Sequence, residues 1–128
     1  MAKAQEGITW QSVLLDYDLA AEFSGEAIAR TSALVDLGRE CSGVDILVPA
    51  IDSATIGLLV QMDSAIATVP VALHYKKPAD GSTAAWLTTA STGGYVIHID
   101  CLGAIRYFRI LTGADQTANR TFYVLGTV

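Results

Sequence analysis

The residues able to do chemistry are few: two histidines, two cysteines, and scattered carboxylates and arginines. His74 and His98 lie in alternating runs, each on the face opposite the largest apolar residues of its run. Asp100, two residues beyond His98, shares its face. If the two faces met, His74, His98 and Asp100 could ligate a metal ion. Zinc ordinarily draws on a clearer set of four ligands, so a solvent-facing or hydrogen-bonded histidine is the simpler reading, and no metal or cofactor is expected. Asp16 and Asp18 share a face if the chain is extended. Acid–base catalysis needs carboxylates opposed across a cleft in unlike environments, so these two read as a solvated edge. The sequence has no G-x-S-x-G elbow, phosphate-binding loop, G-x-G-x-x-G, H-E-x-x-H or EF-hand spacing. No catalytic residue is assigned and no enzyme is expected.

Cys41 and Cys101 could close one disulfide, worth about 4 kcal/mol in the chain-entropy model. Nothing else in the chain looks secreted, so two free thiols are expected. Arg106 and Arg109 fall on opposite faces of a strand, and whichever is buried needs a carboxylate or carbonyl partner. Asp100, Asp115 and acids of the N-terminal third are the candidates. Arginine forks suit bidentate ties between strands or subunits, which makes Arg106, Arg109 and Arg120 candidate interface residues. Trp10, Trp86, Tyr75, Tyr95 and Tyr107 could stack against a sugar. Two tryptophans separated by most of the chain do not define a platform, and core packing or a subunit interface accounts for them better.

The elements that must position these residues have period two. Val44, Ile46 and Val48 alternate up to Pro49; Ile56 to Met62, Val69 to Tyr75, Tyr95 to Cys101, Arg106 to Ile110, and Phe122 onward repeat the pattern. Turn-forming sequences separate them, among them Asp52-Ser53, Asp63-Ser64, Thr92-Gly93-Gly94, Leu102-Gly103 and Gly113-Ala114-Asp115. Many short strands with such spacing predict an all-β chain, an antiparallel β-sandwich or barrel. Leu15, Leu19 and Phe23 have helical spacing, so residues 12–23 are either an amphipathic helix or an extended arm. A strand is expected from about 27 to 37, ending at Gly38. The organisation is thus an N-terminal extended or partly helical arm, 1–25, and one β-domain, 26–128.

Composition narrows the function classes. Of 128 residues, 52% are apolar and 16% charged, against about 25% charged in an ordinary soluble domain; mean hydropathy is +0.41. Disorder is not expected of so apolar a chain. No apolar run reaches the length of about 18 residues that a helical membrane span needs, and no signal peptide is apparent, so no membrane partner is expected. The net charge of −5 resides entirely in residues 1–45; the five acids and five bases that follow cancel. An acidic chain without basic clusters is a poor nucleic-acid binder.

Several segments carry a resemblance. Ala29-Arg30-Thr31-Ser32-Ala33-Leu34-Val35-Asp36-Leu37-Gly38 resembles the opening strand of the small jelly-roll cement, or decoration, proteins of tailed bacteriophage capsids. The likeness continues through Val44 to Pro49, Gly57 to Ser64, Gly94-Tyr95, Arg106-Tyr107 and the strand after Ala118-Asn119-Arg120, covering most of residues 26–128. It implies a jelly-roll-like sandwich that trimerises on the capsid exterior after assembly in the bacterial cytoplasm. There it would bridge subunits of the major capsid protein, without catalysis or cofactor. A tail or neck component, or a carbohydrate-binding sandwich module, is the alternative. In the first case Trp10, Leu14, Leu15 and Tyr17 are candidates for an arm reaching a neighbour, joined by Arg106, Arg109 and Arg120. On this reading, deleting residues 1–17 should leave a folded domain that binds particles more weakly, as circular dichroism and a particle co-sedimentation assay would check.

Overall fold

The alternating runs do become strands, but they are joined differently from the sequence expectation. A computed structural model describes residues 9–76, 80 and 82–127. In chain order the strands are β1 (Gln11–Leu15), β2 (Val35–Val48), β3 (Ile56–Gln61), β4 (Val71–Ala72), β5 (Tyr75–Lys76), β6 (Thr83–Ala84), β7 (Tyr95–Thr112) and β8 (Arg120–Thr127). Six form one antiparallel sheet in the order β1-β8-β2-β7-β3-β4, and β5 and β6 form a separate pair. The described residues are all-β, with no helix.

Period two decides which side chains are inside. Val13 and Leu15 of β1, Val44, Ile46 and Val48 of β2, Ile56 and Leu58 of β3, Ile97, Ile99, Phe108 and Ile110 of β7, and Phe122 and Val124 of β8 are buried in one core. Each such side chain contributes about 1.5–3 kcal/mol by leaving water.

Two long bent strands organise the rest. Asp36 lies opposite Tyr107, Cys41 opposite Ile105 and Gly43 opposite Asp100, with register shifts between these points. Residues 37–40 of β2 thus stand against Arg106 alone, and residues 101–104 of β7 against Ser42 alone, two bulges on opposite strands. Gly38 takes φ +82°, and its N–H donates to the Asp36 carboxylate at 2.7 Å. Asp36-Leu37-Gly38 was expected to end a strand; it bends one instead, because a glycine at positive φ lets a bulged strand turn without breaking. Leu102-Gly103, expected as a turn, lies within β7, in the second bulge. Beyond the bend, Tyr107 to Thr112 of β7 pair with β3, while before it Asp100 to Tyr95 pair with β2, whose other edge takes β8.

The segment before β2 closes the arrangement. Ser32 N–H donates to Ile110 O at 2.9 Å and Ala33 N–H donates to Leu14 O at 2.9 Å. Residues 30–33 thus fill the gap between β1 and the second half of β7, and the edge of β1 does not stand open.

Three expectations change. The strand expected at 27–37 begins only at Val35; Ala29 sits at φ 68° in a turn, and Thr31 makes a single bridge to Leu111. The run from Val69 to Tyr75 yields only the two-residue strands β4 and β5, since Pro70 has no N–H to give a ladder. The helical alternative for 12–23 gives way to β1, whose Val13 and Leu15 meet the core on one face.

This alters the deletion experiment. Removing residues 1–17 takes β1 and two core side chains from β8, and should lower the melting temperature by at least about 10 °C, as differential scanning calorimetry would read.

Candidate functional site

The outward sides of β1, β8, β2 and β7 make one uncovered face. Register aligns Ser12, Tyr123, Leu47 and Val96 in a row across the four strands. The next row places Leu125, Asp45 and His98 side by side, and the one after brings Thr127, Gly43 and Asp100 together. Tyr123, Leu47 and Val96 are exposed, Val96 by 57%, as are Leu14 and Trp10 toward the β1 side. Strand alternation puts them there: Ile46 and Ile97 face the core, so Leu47 and Val96 cannot. A second exposed apolar group, Met62, Ile66, Val69 and Val71, lies beyond β3, in the loop to β4 and at the start of β4.

The loop that carries Ile66 in that group is tied down by Arg109. The residue faces away from Phe108 and Ile110 yet is only 1% exposed, because two loops cover it. From the loop after β1, Glu22 Oε1 accepts from Nη1 at 2.6 Å, Glu26 Oε1 lies at 3.8 Å, and the Phe23 ring sits 5.0 Å from the guanidinium carbon. From the loop after β3, Ile66 O accepts from Nη2 at 3.1 Å. Gln61 Nε2 ties the same loop by donating to Asp63 O and Ala65 O, and the Asp63 carboxylate accepts from Ala65 N–H and the Thr68 hydroxyl. Met62 and Ile66 thus project from a braced loop.

The sequence candidates divide accordingly. Trp10, Leu14 and Tyr17 are exposed, whereas Leu15 is fully buried; Leu15 is corrected from a surface contact to a core residue because its parity matches Val13. Arg109 is likewise spent within the chain, on acids of the N-terminal third. Arg106 pairs with Asp36 at 2.9 Å and stacks 5.0 Å over Tyr107, and Arg120 pairs with Asp52 at 3.2 Å. The Arg106 guanidinium and the Gly38 N–H hold the Asp36 carboxyl below its usual range. The Thr117 hydroxyl and N–H do the same for Asp52. Both arginines remain partly exposed, Arg106 within β7 and Arg120 at the start of β8. Leu47, Val96 and Tyr123 were not singled out from the sequence, although the apolar character of both faces of their runs was a signal for them.

His74 and His98 do not share a site. His74 is exposed, with Nδ1 3.2 Å from Ala72 O; His98 lies on the uncovered face between Asp45 and Asp100. Among the described residues no group of three or more His, Cys, Asp or Glu is arranged to hold a metal ion. Cys41 is a free, buried thiol whose pKa burial pushes up, the opposite of what a nucleophile needs. The side chains of Cys101 and Tyr75 lie outside the described residues. Trp86 is exposed and packs over Gly57, while the Tyr95 hydroxyl donates to Thr88 Oγ1 at 3.4 Å, so these aromatics form no common platform. One groove of about 380 Å³ runs past Gln61, Met62, Ile105, Arg106 and Tyr107. A smaller cavity of about 230 Å³ is lined by Phe23, Leu59, Val69, Pro70 and Leu111. Neither lining brings a nucleophile to a base. No family model, no curated protein and no solved structure matches the chain.

Arg109→Ala should destabilise the fold by about 3–5 kcal/mol, since it strands two carboxylates under the loops. Arg109→Met combined with Glu22→Gln and Glu26→Gln should cost less than Arg109→Ala alone. Urea denaturation of the two variants would measure the difference.

Proposed function

We propose that this chain is a structural virion protein: a capsid cement, or decoration, protein that binds the outer surface of a tailed-phage capsid and stabilises contacts between major capsid protein subunits. In this reading the antiparallel sheet, bent over one core, is a jelly-roll-like sandwich. The chain is a homotrimer, and its N-terminal residues, with Trp10, Leu14 and Tyr17, extend the contact surface. The observation that carries the reading is a pair of separate exposed apolar surfaces, one on the β1–β8–β2–β7 face and one beyond β3. One is the face of Tyr123, Leu47 and Val96; the other is the braced loop of Met62 and Ile66. A protein that must touch both its own copies and an underlying shell needs two such surfaces, whereas a lone monomer gains nothing from either. Repetition over a symmetric particle lets each contact be modest, since linked attachments multiply effective concentration. The sequence resemblance over residues 26–128 supports the same assignment, as does the scarcity of basic residues on a protein destined to sit outside packaged DNA.

Sedimentation equilibrium of the isolated chain should give an oligomer mass. Leu47→Thr with Val96→Thr keeps strand-favouring shapes while removing apolar area, and should weaken that association at least tenfold. Met62→Ser with Ile66→Ser should leave the oligomer intact and abolish co-sedimentation with capsid shells. A wild-type chain that is monomeric at all concentrations and ignores such shells would refute the assignment.

A further inference from the structure

On the uncovered face, His98 is gripped from both sides. Its Nδ1 lies against Asp45 Oδ1 of β2, and its Nε2 is 2.9 Å from Asp100 Oδ1, two residues on in β7. Ionised carboxylates only accept hydrogen bonds, and a neutral imidazole has one N–H to give. Both contacts are hydrogen bonds only when the ring carries both protons. Hydrogen bonds from Asp45 first, then Asp100, hold the His98 pKa above the ordinary histidine value. Among the described residues, Asp45 and Asp100 are the ionisable groups recorded against His98. β8, the next strand beyond β2, brings Leu125 opposite Asp45 and Thr127 opposite Gly43. The cluster adjoins the Tyr123–Leu47–Val96 row, so whatever covers that row also takes the cluster out of water.

A second copy of the chain is the occupant that charge favours. Arg30, Arg106, Arg109 and Arg120 each have a carboxylate partner within their own chain. Arg39 is exposed on the β2 bulge, with no carboxylate partner among the described residues. The protonated cluster carries one net negative charge, which one guanidinium balances. Proton loss leaves two carboxylates beside a bare ring nitrogen, one of them uncompensated in an interface that water has left, where unpaired charge is costly.

We infer that the Asp45–His98–Asp100 cluster makes self-association through this face proton-dependent, with the protonated cluster accepting the second copy and the deprotonated one releasing it. The inference rests on the reading of this face as the surface between copies. The sign follows from linkage. In the free chain Asp45 and Asp100 already hold the His98 pKa up, and a second copy raises it further because the proton keeps the covered cluster in charge balance, so association is complete below the free chain's value and is lost as pH rises from there through the associated one. Association therefore holds at pH 6 and weakens through and above neutrality, by at most about tenfold in dissociation constant per pH unit for each linked proton.

The test combines sedimentation equilibrium from pH 5.5 to 9 with NMR titration of the His98 imidazole on the full chain, in the wild type and in Asp45→Asn with Asp100→Asn. Support is a wild-type His98 that titrates above that of the double variant, wild-type association that falls as pH rises, and an association independent of pH in His98→Gln. Arg39→Gln should weaken the low-pH oligomer at least severalfold. A wild-type His98 that titrates at or below that of the double variant, or one that titrates high while association ignores pH, overturns the inference and leaves the face as an assembly surface. Absence of association at every pH overturns the surface reading itself, and this inference with it.

Discussion

A guanidinium without access to water dictates how one side of this molecule is built. A charged Arg109 beneath Phe23 needs carboxylates and carbonyls in place of water, and they arrive from two separate loops: Glu22 and Glu26 from one, Ile66 from the other. The loops are therefore not free connections. Each is fixed at the point where it supplies its oxygen, and the neighbouring residues inherit that fixity. Loop conformation here follows from electrostatics, while the strands below follow from burial of Phe108 and Ile110. The ion pair earns little net energy over an apolar substitute of equal shape. What it gives the molecule is a single arrangement of two segments that have few apolar side chains of their own to bury.

The second constraint is the paired bend in β2 and β7. Both strands are too long to serve one layer. Each carries a bulge, and because the bulges lie on opposite strands the β2–β7 pairing resumes the same register beyond them, while β7 gains β3 as a second neighbour on one side of the bend and β2 gains β8 on the other. Arg109 lies on the β3 side of this bend, and Leu47 and Val96 lie on its β8 side. A sheet without it would put the apolar face and the braced loop on a single flat ladder.

Much of the strand content was legible in the sequence, because alternation in Val44-Ile46-Val48, Ile97-Ile99 and Phe122-Val124 is a local signal that survives into the core. The need of one arginine for acids from the N-terminal third was legible as well, since charge bookkeeping does not depend on distance. What was not legible depends on partners remote along the chain. Leu14, Leu15, Leu19 and Phe23 satisfy helical spacing as well as a strand's, and only the pairing of β1 with β8 decides between them. Gly38 and Gly103 carry the chemistry of turns, and a bulge uses the same chemistry. Asp45 gave no sign of belonging with His98, because their adjacency is a matter of register between β2 and β7.

The position of β1 between β8 and residues 32–33 bears on how the chain acquires its fold. The earliest strand described has its main partner in the last one, so β1 cannot be completed as it leaves the ribosome. Until Arg120 to Thr127 have been synthesised, Val13 and Leu15 have no Phe122 or Val124 beside them, and the edge of β2 that β8 will take is bare. Nearly all the sheet contacts are likewise distant in sequence, a topology that folds slowly. The nascent chain thus passes through a period in which sticky, unsatisfied edges face the surrounding proteins. Sequestration of that interval by a chaperone, or its brevity, is a requirement the topology itself imposes.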